Sequence, residues 1–146
     1  MPAAPAFSGA EAMRLIEKQV SFGPRIPGSA GHAAMLEWLV DELEETGARV
    51  ARRPFRMTNA LTGENVTGTN VVASFGSSRK DRIFFAAHWD TRAWADQDPD
   101  STKRREPVPG ANDGGSGVAI LLQLARIIEQ NPPGTGIDLL FFDGED

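Results

Sequence analysis

Three short stretches carry side chains able to do chemistry: "AAHWD" (86–90), "GANDGGSG" (110–117) and "FFDGED" (141–146). They supply His88, Asp90, Asp113, Glu145 and Asp146. Taken singly, each has a plain structural use. His88 can end a strand as a satisfied polar group, Asp113 beside glycine can form a turn or cap a helix, and Glu145-Asp146 can be loop acids. Taken together they suggest a cation site. Carboxylates crowded into one place repel, and at least one stays protonated unless a positive charge compensates. An imidazole among carboxylates suits zinc, whereas an all-oxygen set would suit magnesium or calcium. The i, i+2 spacing of His88 and Asp90 puts both on one side of an extended segment, where Asp90 can orient the imidazole and fix its tautomer. Glu145 and Asp146 are neighbours and must diverge, so one can bind metal while the other faces substrate as a proton carrier. A rival reading of "GANDGGSG" as a phosphate cradle lacks the Gly-Lys-Ser/Thr ending and has an acid at its centre.

These residues need elements that deliver them to one place. "RIFFAA" (82–87) is a nearly continuous apolar run and predicts a central strand covered on both faces, leading into His88. "IDLLFF" (137–142) predicts a second central strand ending at the two acids. Between them, Val118, Leu121, Leu122, Ala125 and Ile128 are in helical register and predict a largely buried helix over 116–130, fed by the Asp113 turn. Ligands bind outside the carboxyl ends of strands in open α/β sheets, so all three clusters are expected on one rim.

Upstream, Ser8 and Glu11 read as a capping box for a helix whose apolar face is Ala12, Met13, Ile16 and Val20. "GPRIPGS" reads as a turn, and Ser29 as the cap of a second helix with Leu36, Leu39, Val40 and Leu43 inward and Glu37, Asp41, Glu44 and Glu45 outward. Gly47 closes that helix. Residues 48–57, with Pro54, predict an edge strand; "NALTGENVTG" a turn; and 70–76 another strand. Thr91 to Gly110 is a long polar loop carrying Trp94, either one wall of a pocket or a flexible segment. The order gives an α/β fold: a mixed β-sheet, antiparallel then parallel, flanked by helices in one domain over 1–146.

The chain has 146 residues, 40% apolar, enough for a substantial core. A net charge of −5 argues against nucleic acid as the partner, and Lys103-Arg104-Arg105 sits among acids as a loop. Cysteine is absent, which removes disulfides and thiolate chemistry. No apolar run is long enough to span a membrane, and "MPAAPAFSGAEAMRL" lacks the basic start and apolar stretch of a leader.

"FGPRIPGSAGH" (22–32), "AAHWDTRAWAD" (86–96), "PGANDGGSGVA" (109–119) and "FFDGED" together resemble the zinc-dependent glutaminyl-peptide cyclotransferases of bacterial and animal type. They also resemble the related di-zinc aminopeptidases. The resemblance runs from Phe22 to the last residue. It implies a mixed sheet sandwiched by helices, one or two zinc ions at the strand tips, and peptide N-termini as substrates. Asp113 matches a metal-ligating aspartate, and Asp146 a second carboxylate ligand, where relatives often carry glutamate. Glu145 matches the catalytic acid/base. His88 matches a ligand of the two-metal aminopeptidases that the single-zinc cyclases do not always use, and Asp90 its supporting acid.

The leading expectation is cyclisation of N-terminal glutamine with release of ammonia. The alternatives are aminopeptidase chemistry and a metal-free interaction domain. The family uses a further histidine ligand downstream, and in the two-metal branch another aspartate. Here the only histidines are His32 and His88, so the resemblance implies the N-terminal half of the catalytic domain. Residues 1–146 alone are therefore expected to be inactive and to bind zinc weakly. A periplasmic or secreted location is implied by the resemblance alone.

Overall fold

The computed structural model describes residues 5–146; the first four residues of the stretch weighed as a leader lie outside the described residues. The elements are α1 (Gly9–Ser21), α2 (Ala30–Glu44), β1 (Arg49–Thr58), β2 (Asn65–Phe75), β3 (Arg82–His88), α3 (Gly115–Gln130) and β4 (Gly136–Phe142). No helix among the described residues is long and apolar enough to cross a membrane.

Ser8 caps α1 as expected, its hydroxyl accepting the Glu11 N–H at 3.2 Å. The reciprocal half of the box is not made, because the Glu11 carboxylate turns to Arg126 (2.7 Å) and the Ser8 N–H to Gln123 (3.4 Å). The inward face also differs from the expected one. Leu15 and Gln19 are buried, while Met13 is 56% exposed. The buried Gln19 amide donates to the carbonyls of Leu15 (3.2 Å) and Gly115 (3.0 Å), which rotates α1 toward the start of α3 and carries Met13 outward. On α2, Ser29 caps through the His32 N–H (3.1 Å), and Met35, Leu39, Val40 and Leu43 are buried with His32. Leu36 is only half-buried, and the four predicted outer acids are exposed.

The sheet order is β1-β2-β4-β3. β1 and β2 form an antiparallel hairpin, with β1 and its Pro54 on the edge as expected. β2 begins five residues before the predicted 70, at Asn65, because Thr58↔Asn65 continues the ladder. The turn shrinks accordingly to 59–64, where the Asn59 side chain accepts the N–H groups of Leu61 (2.8 Å) and Thr62 (3.1 Å). The polar run "NVTGTN" hid that strand. β4 is central, antiparallel to β2 and parallel to β3, with α3 as the crossover.

The expectation for β3 fails in one respect. It is a strand, but it lies at the edge among the described strands, and Phe84 is 69% exposed with Ile83 and Phe85 also open. α2 and α3 pack against the sheet and share a core with Val71, Ala73, Ile137, Leu139 and Phe141, while α1 lies on α3. Full burial of each large apolar side chain there contributes about 1.5–3 kcal/mol. Val72, Leu140 and Phe142 face the other way, and no described helix covers them. An apolar run reports that a strand tolerates burial; it does not report what lies over it.

Candidate active site

The rim is built by parallel pairing. His88 lies opposite Phe142, and the Trp89 N–H donates to the Phe142 carbonyl at 2.9 Å, so the tips of β3 and β4 end side by side. Trp89 is fully buried, stacks on the His32 ring (centroids 4.3 Å apart) and donates its indole N–H to the Thr69 carbonyl at 3.2 Å. That wedge fixes the strand end from which His88 and Asp90 project.

The Gly-rich turn then closes on this end. Gly114, at the start of α3, has φ of +73°, and a Cβ there would sit 3.1 Å from the carbonyl oxygens of His88 and Asp90 and from the His88 ring. Only glycine combines that backbone conformation with so close an approach. The approach brings the Asp113 carboxylate to 3.1 Å from His88 Nε2.

After β4, the chain is anchored by one buried aspartate. Asp143 is buried, accepts the Thr69 N–H (2.6 Å) and meets His32 Nε2 at 2.9 Å, while its own N–H donates to the Asn70 side chain. The next two residues hang on Asp90. This carboxylate is fully buried and accepts the backbone N–H groups of Glu145 (3.3 Å) and Asp146 (3.2 Å). Its distance to His88 Nδ1 is 3.5 Å, and Nδ1 is buried without a hydrogen-bond partner. Asp90 therefore lies beside His88 without a hydrogen bond to it, and what it fixes is the main chain of both acids.

The outcome is a convergence. Ligand-type atoms of His88, Asp113 and Asp146 all lie within 4.8 Å of one another. Glu145 stands beside them, one oxygen 4.0 Å from His88 Nε2, with its side chain largely open to solvent. Arg92 approaches Asp146 at 3.8 Å and pairs with Asp96 at 3.0 Å.

The electrostatics describe a site that attracts positive charge. Burial pulls the His88 pKa down, but the Asp113 hydrogen bond and the charges of Asp90, Asp146 and Glu145 outweigh it, and the net shift is upward. Burial and the repulsion of Asp113 push Asp146 up against the pull of His88. Asp90 is also raised, chiefly by burial, with the N–H groups of Asp146 and Glu145 opposing. Each of these shifts is toward tighter proton binding, the response of a site with excess negative charge that a divalent cation would also relieve. One imidazole and two carboxylates with converging atoms fit zinc.

Arg25 escaped sequence reasoning, because "GPRIPGS" shows only its prolines and glycines. The guanidinium is fully buried and donates to the carbonyls of Trp89 (3.0 Å), Pro109 (3.0 Å) and Gly110 (2.7 Å). Its backbone N–H meets the Thr91 hydroxyl at 2.8 Å. Arg25 thus clamps the His88–Asp90 strand tip to the turn that carries Asp113. Burial lowers its pKa, with Asp90 opposing, yet a guanidinium stays charged at any working pH. A buried arginine facing a buried aspartate leaves no signal in composition or periodicity.

A mixed sheet with helices against one face and acids and imidazole gathered at its strand tips defines the class of zinc-exopeptidase-like α/β proteins. The chain belongs to peptidase family M28, whose pattern matches residues 70–146. Among solved structures it is similar to the Bacteroides thetaiotaomicron glutaminyl cyclase bound to N-acetylhistamine, with 40% identity, a TM-score of 0.93, and coverage of 99% of this chain and 49% of that one. A Zn-dependent exopeptidase from Parabacteroides distasonis gives 44% identity, a TM-score of 0.93 and the same coverage. Aminopeptidase YwaD of Bacillus subtilis is 22% identical over 142 residues, covering 95% of this chain and 28% of that protein. The chain thus spans about half the length of these solved structures, and less of that curated relative.

Proposed function

We propose that the whole protein is a zinc-dependent glutaminyl-peptide cyclotransferase, converting N-terminal glutamine of peptides to pyroglutamate and ammonia. The observation that carries this is the convergence of His88, Asp113 and Asp146 with Glu145 standing free beside them. Support for the cyclase comes from glutaminyl cyclase structures at 40% and 43% identity.

Asp113 and Asp146 would hold the zinc, with His88 either as a further ligand or as a hydrogen-bonding neighbour of Asp113. Zinc held there would supply Lewis acidity toward the side-chain amide carbonyl. Glu145 takes a proton from the attacking α-amine as the new N–C bond forms, and returns it to the departing amide nitrogen as the C–N bond breaks and ammonia leaves. An exposed carboxylate tethered through its backbone to Asp90 suits this work, since its side chain can swing between two nitrogens while its main chain stays fixed. The further ligands that the resemblance implies would come from elsewhere in the whole protein, so residues 1–146 alone are expected to bind zinc weakly.

A second reading is aminopeptidase chemistry, in which Glu145 would be the base toward an attacking water and the rim would hold two metal ions. It is favoured by His88 Nε2, which faces Asp113 and can serve a second ion, and by the exopeptidase likeness. The test is incubation of the whole protein with a glutaminyl dipeptide. Pyroglutamyl product is expected; free glutamine would reverse the order of the two readings. In the same assay Glu145→Gln is expected to lower kcat by about 100-fold or more with zinc still bound, the range typical of losing a general acid/base. Unchanged turnover would remove Glu145 from the reaction.

A further inference from the structure

We infer that the loop from Thr91 to Gly110 carries a carboxylate subsite, formed by Trp94, Arg104 and Arg105, which selects peptides bearing an acidic group downstream of the reacting N-terminus. The inference rests on the reading of the rim as a site for peptide N-termini. Trp94, Arg104 and Arg105 line a cavity of about 300 Å³. Trp94 also lines a second hollow of about 150 Å³ with Arg92, Ala60 and Asp146. The indole is therefore a shared wall between the acid cluster and the basic end of the loop.

The loop is built to hold this shape. The Ala95 N–H donates to the Glu106 carbonyl (2.8 Å) and the Val108 N–H to the Arg92 carbonyl (3.2 Å), closing its base. The Asp100 carboxylate accepts the N–H (3.0 Å) and hydroxyl (2.7 Å) of Thr102, and these bonds hold it below its ordinary pKa. Arg104 is tied through its Nε to the Asp98 carbonyl at 2.8 Å, which leaves its terminal nitrogens for a ligand.

The acids nearby have other partners: Asp96 is paired with Arg92, Asp98 accepts the Asp100 N–H, and Asp100 caps Thr102. Among the described residues, no carboxylate forms an ion pair with Arg104 or Arg105, so both stand as cations in a chain of net charge −5. A peptide presents the complementary polarity. Its N-terminal amine is drawn to Glu145, its body can lie on the half-exposed indole, and a carboxylate further along meets the guanidinium pair.

The carboxylate can be an acidic side chain or a free C-terminus. Whole protein would be assayed with glutaminyl peptides of one length in four forms: with aspartate or asparagine near the C-terminus, and with a free or an amidated end. The expected result is a kcat/KM about fivefold to tenfold higher for carboxylate-bearing peptides than for the amidated asparagine form, carried by KM and fading toward one at 1 M salt. In the double variant Arg104→Gln, Arg105→Gln the ratio is expected to fall to about one. The amidated aspartate and free-ended asparagine arms show which source the subsite reads. A wild-type ratio of one, or a ratio unchanged in the double variant, overturns the subsite.

Failure of the cyclase reading is told apart by a second readout. Trp94 is 47% exposed whereas Trp89 is fully buried, so tryptophan emission titrated with the same peptides, and again in Trp94→Phe, reports occupancy without turnover. Tighter saturable quenching by the acidic peptides supports the subsite whatever reaction the rim performs. Equal or absent quenching in a protein without turnover overturns it.

Discussion

Arg25→Met tests whether the rim is held from beneath. The variant keeps an unbranched apolar stem as long as arginine's up to Nε and leaves the backbone bond to Thr91 intact, so it isolates the guanidinium. That group makes three charge-assisted bonds, to the carbonyls of Trp89, Pro109 and Gly110. At about 1.5–3 kcal/mol each, their gross loss is roughly 4.5–9 kcal/mol. Methionine escapes the desolvation cost of a fully buried cation, several kcal/mol in its own right. Against that, the carbonyls lose their donor and Asp90 loses a nearby positive charge. The net expectation is a destabilisation of about 3–5 kcal/mol, in the range for breaking a buried ionic arrangement. Arg25→Lys should lose about half as much, since one ammonium keeps the charge but lacks the planar fork that spans three acceptors. Urea unfolding followed by tryptophan emission reads this directly, because Trp89 is fully buried and one of its own carbonyl bonds is being removed; comparable m-values would license the comparison. An Arg25→Met protein within about 1 kcal/mol of the parent would refute the clamp.

Three further outcomes follow from the same geometry. Gly114→Ala is expected to cost about 1–2 kcal/mol from its positive φ; because the new methyl meets His88 and Asp90, calorimetry on whole protein should show zinc affinity reduced at least tenfold. Wild-type affinity in that variant would mean the Asp113 turn is not held where the structure has it. The Arg82 hydrogen bonds hold Asp138 below its ordinary carboxylate value, so below about pH 4 the unfolded chain binds the proton first and stability falls as pH drops further. Asp138→Asn should flatten that limb by about 1 kcal/mol or less, given the partly open pair, and an unchanged acid limb in urea titrations would count against it. Finally, the exposed apolar edge of β3 is expected to drive concentration-dependent association of residues 1–146, read by sedimentation, with Phe84→Lys reducing it. No difference between the two would exonerate that edge.

What could be read from the sequence divides along a physical line. The type of each element was legible, because period 2 and period 3.6 are local properties of side-chain order. So was the convergence of His88, Asp113 and Asp146, since parallel strands on one crossover place their carboxyl ends together whatever else the chain does. The rotation of α1 was not, because a buried Gln19 outbid Met13 for the inward face through one bond to Gly115, ninety-six positions away. The polar half of β2 was missed for a related reason: its ladder partner, not its own composition, makes it a strand.

Support for the site proved the least legible part, and the reason bears on how the rim works. Asp90 was expected to serve one neighbour, His88, two positions away. In the fold its hydrogen bonds go to the main chain of Glu145 and Asp146, while Arg25 ties the same strand tip to the Asp113 turn. A cluster of like charges cannot assemble by its own attractions; left alone, Asp113, Glu145 and Asp146 would drive one another apart. Backbone bonds to a buried anion and a buried cation hold them together without touching their side-chain oxygens. Apart from the Asp113 contact with His88 and the approach of Arg92 to Asp146, those oxygens stay clear of the supporting bonds. A rim assembled through its main chain can carry repelling acids at its surface, and damage to Asp90 or Arg25 should therefore scatter the cluster even though neither supplies the proposed chemistry.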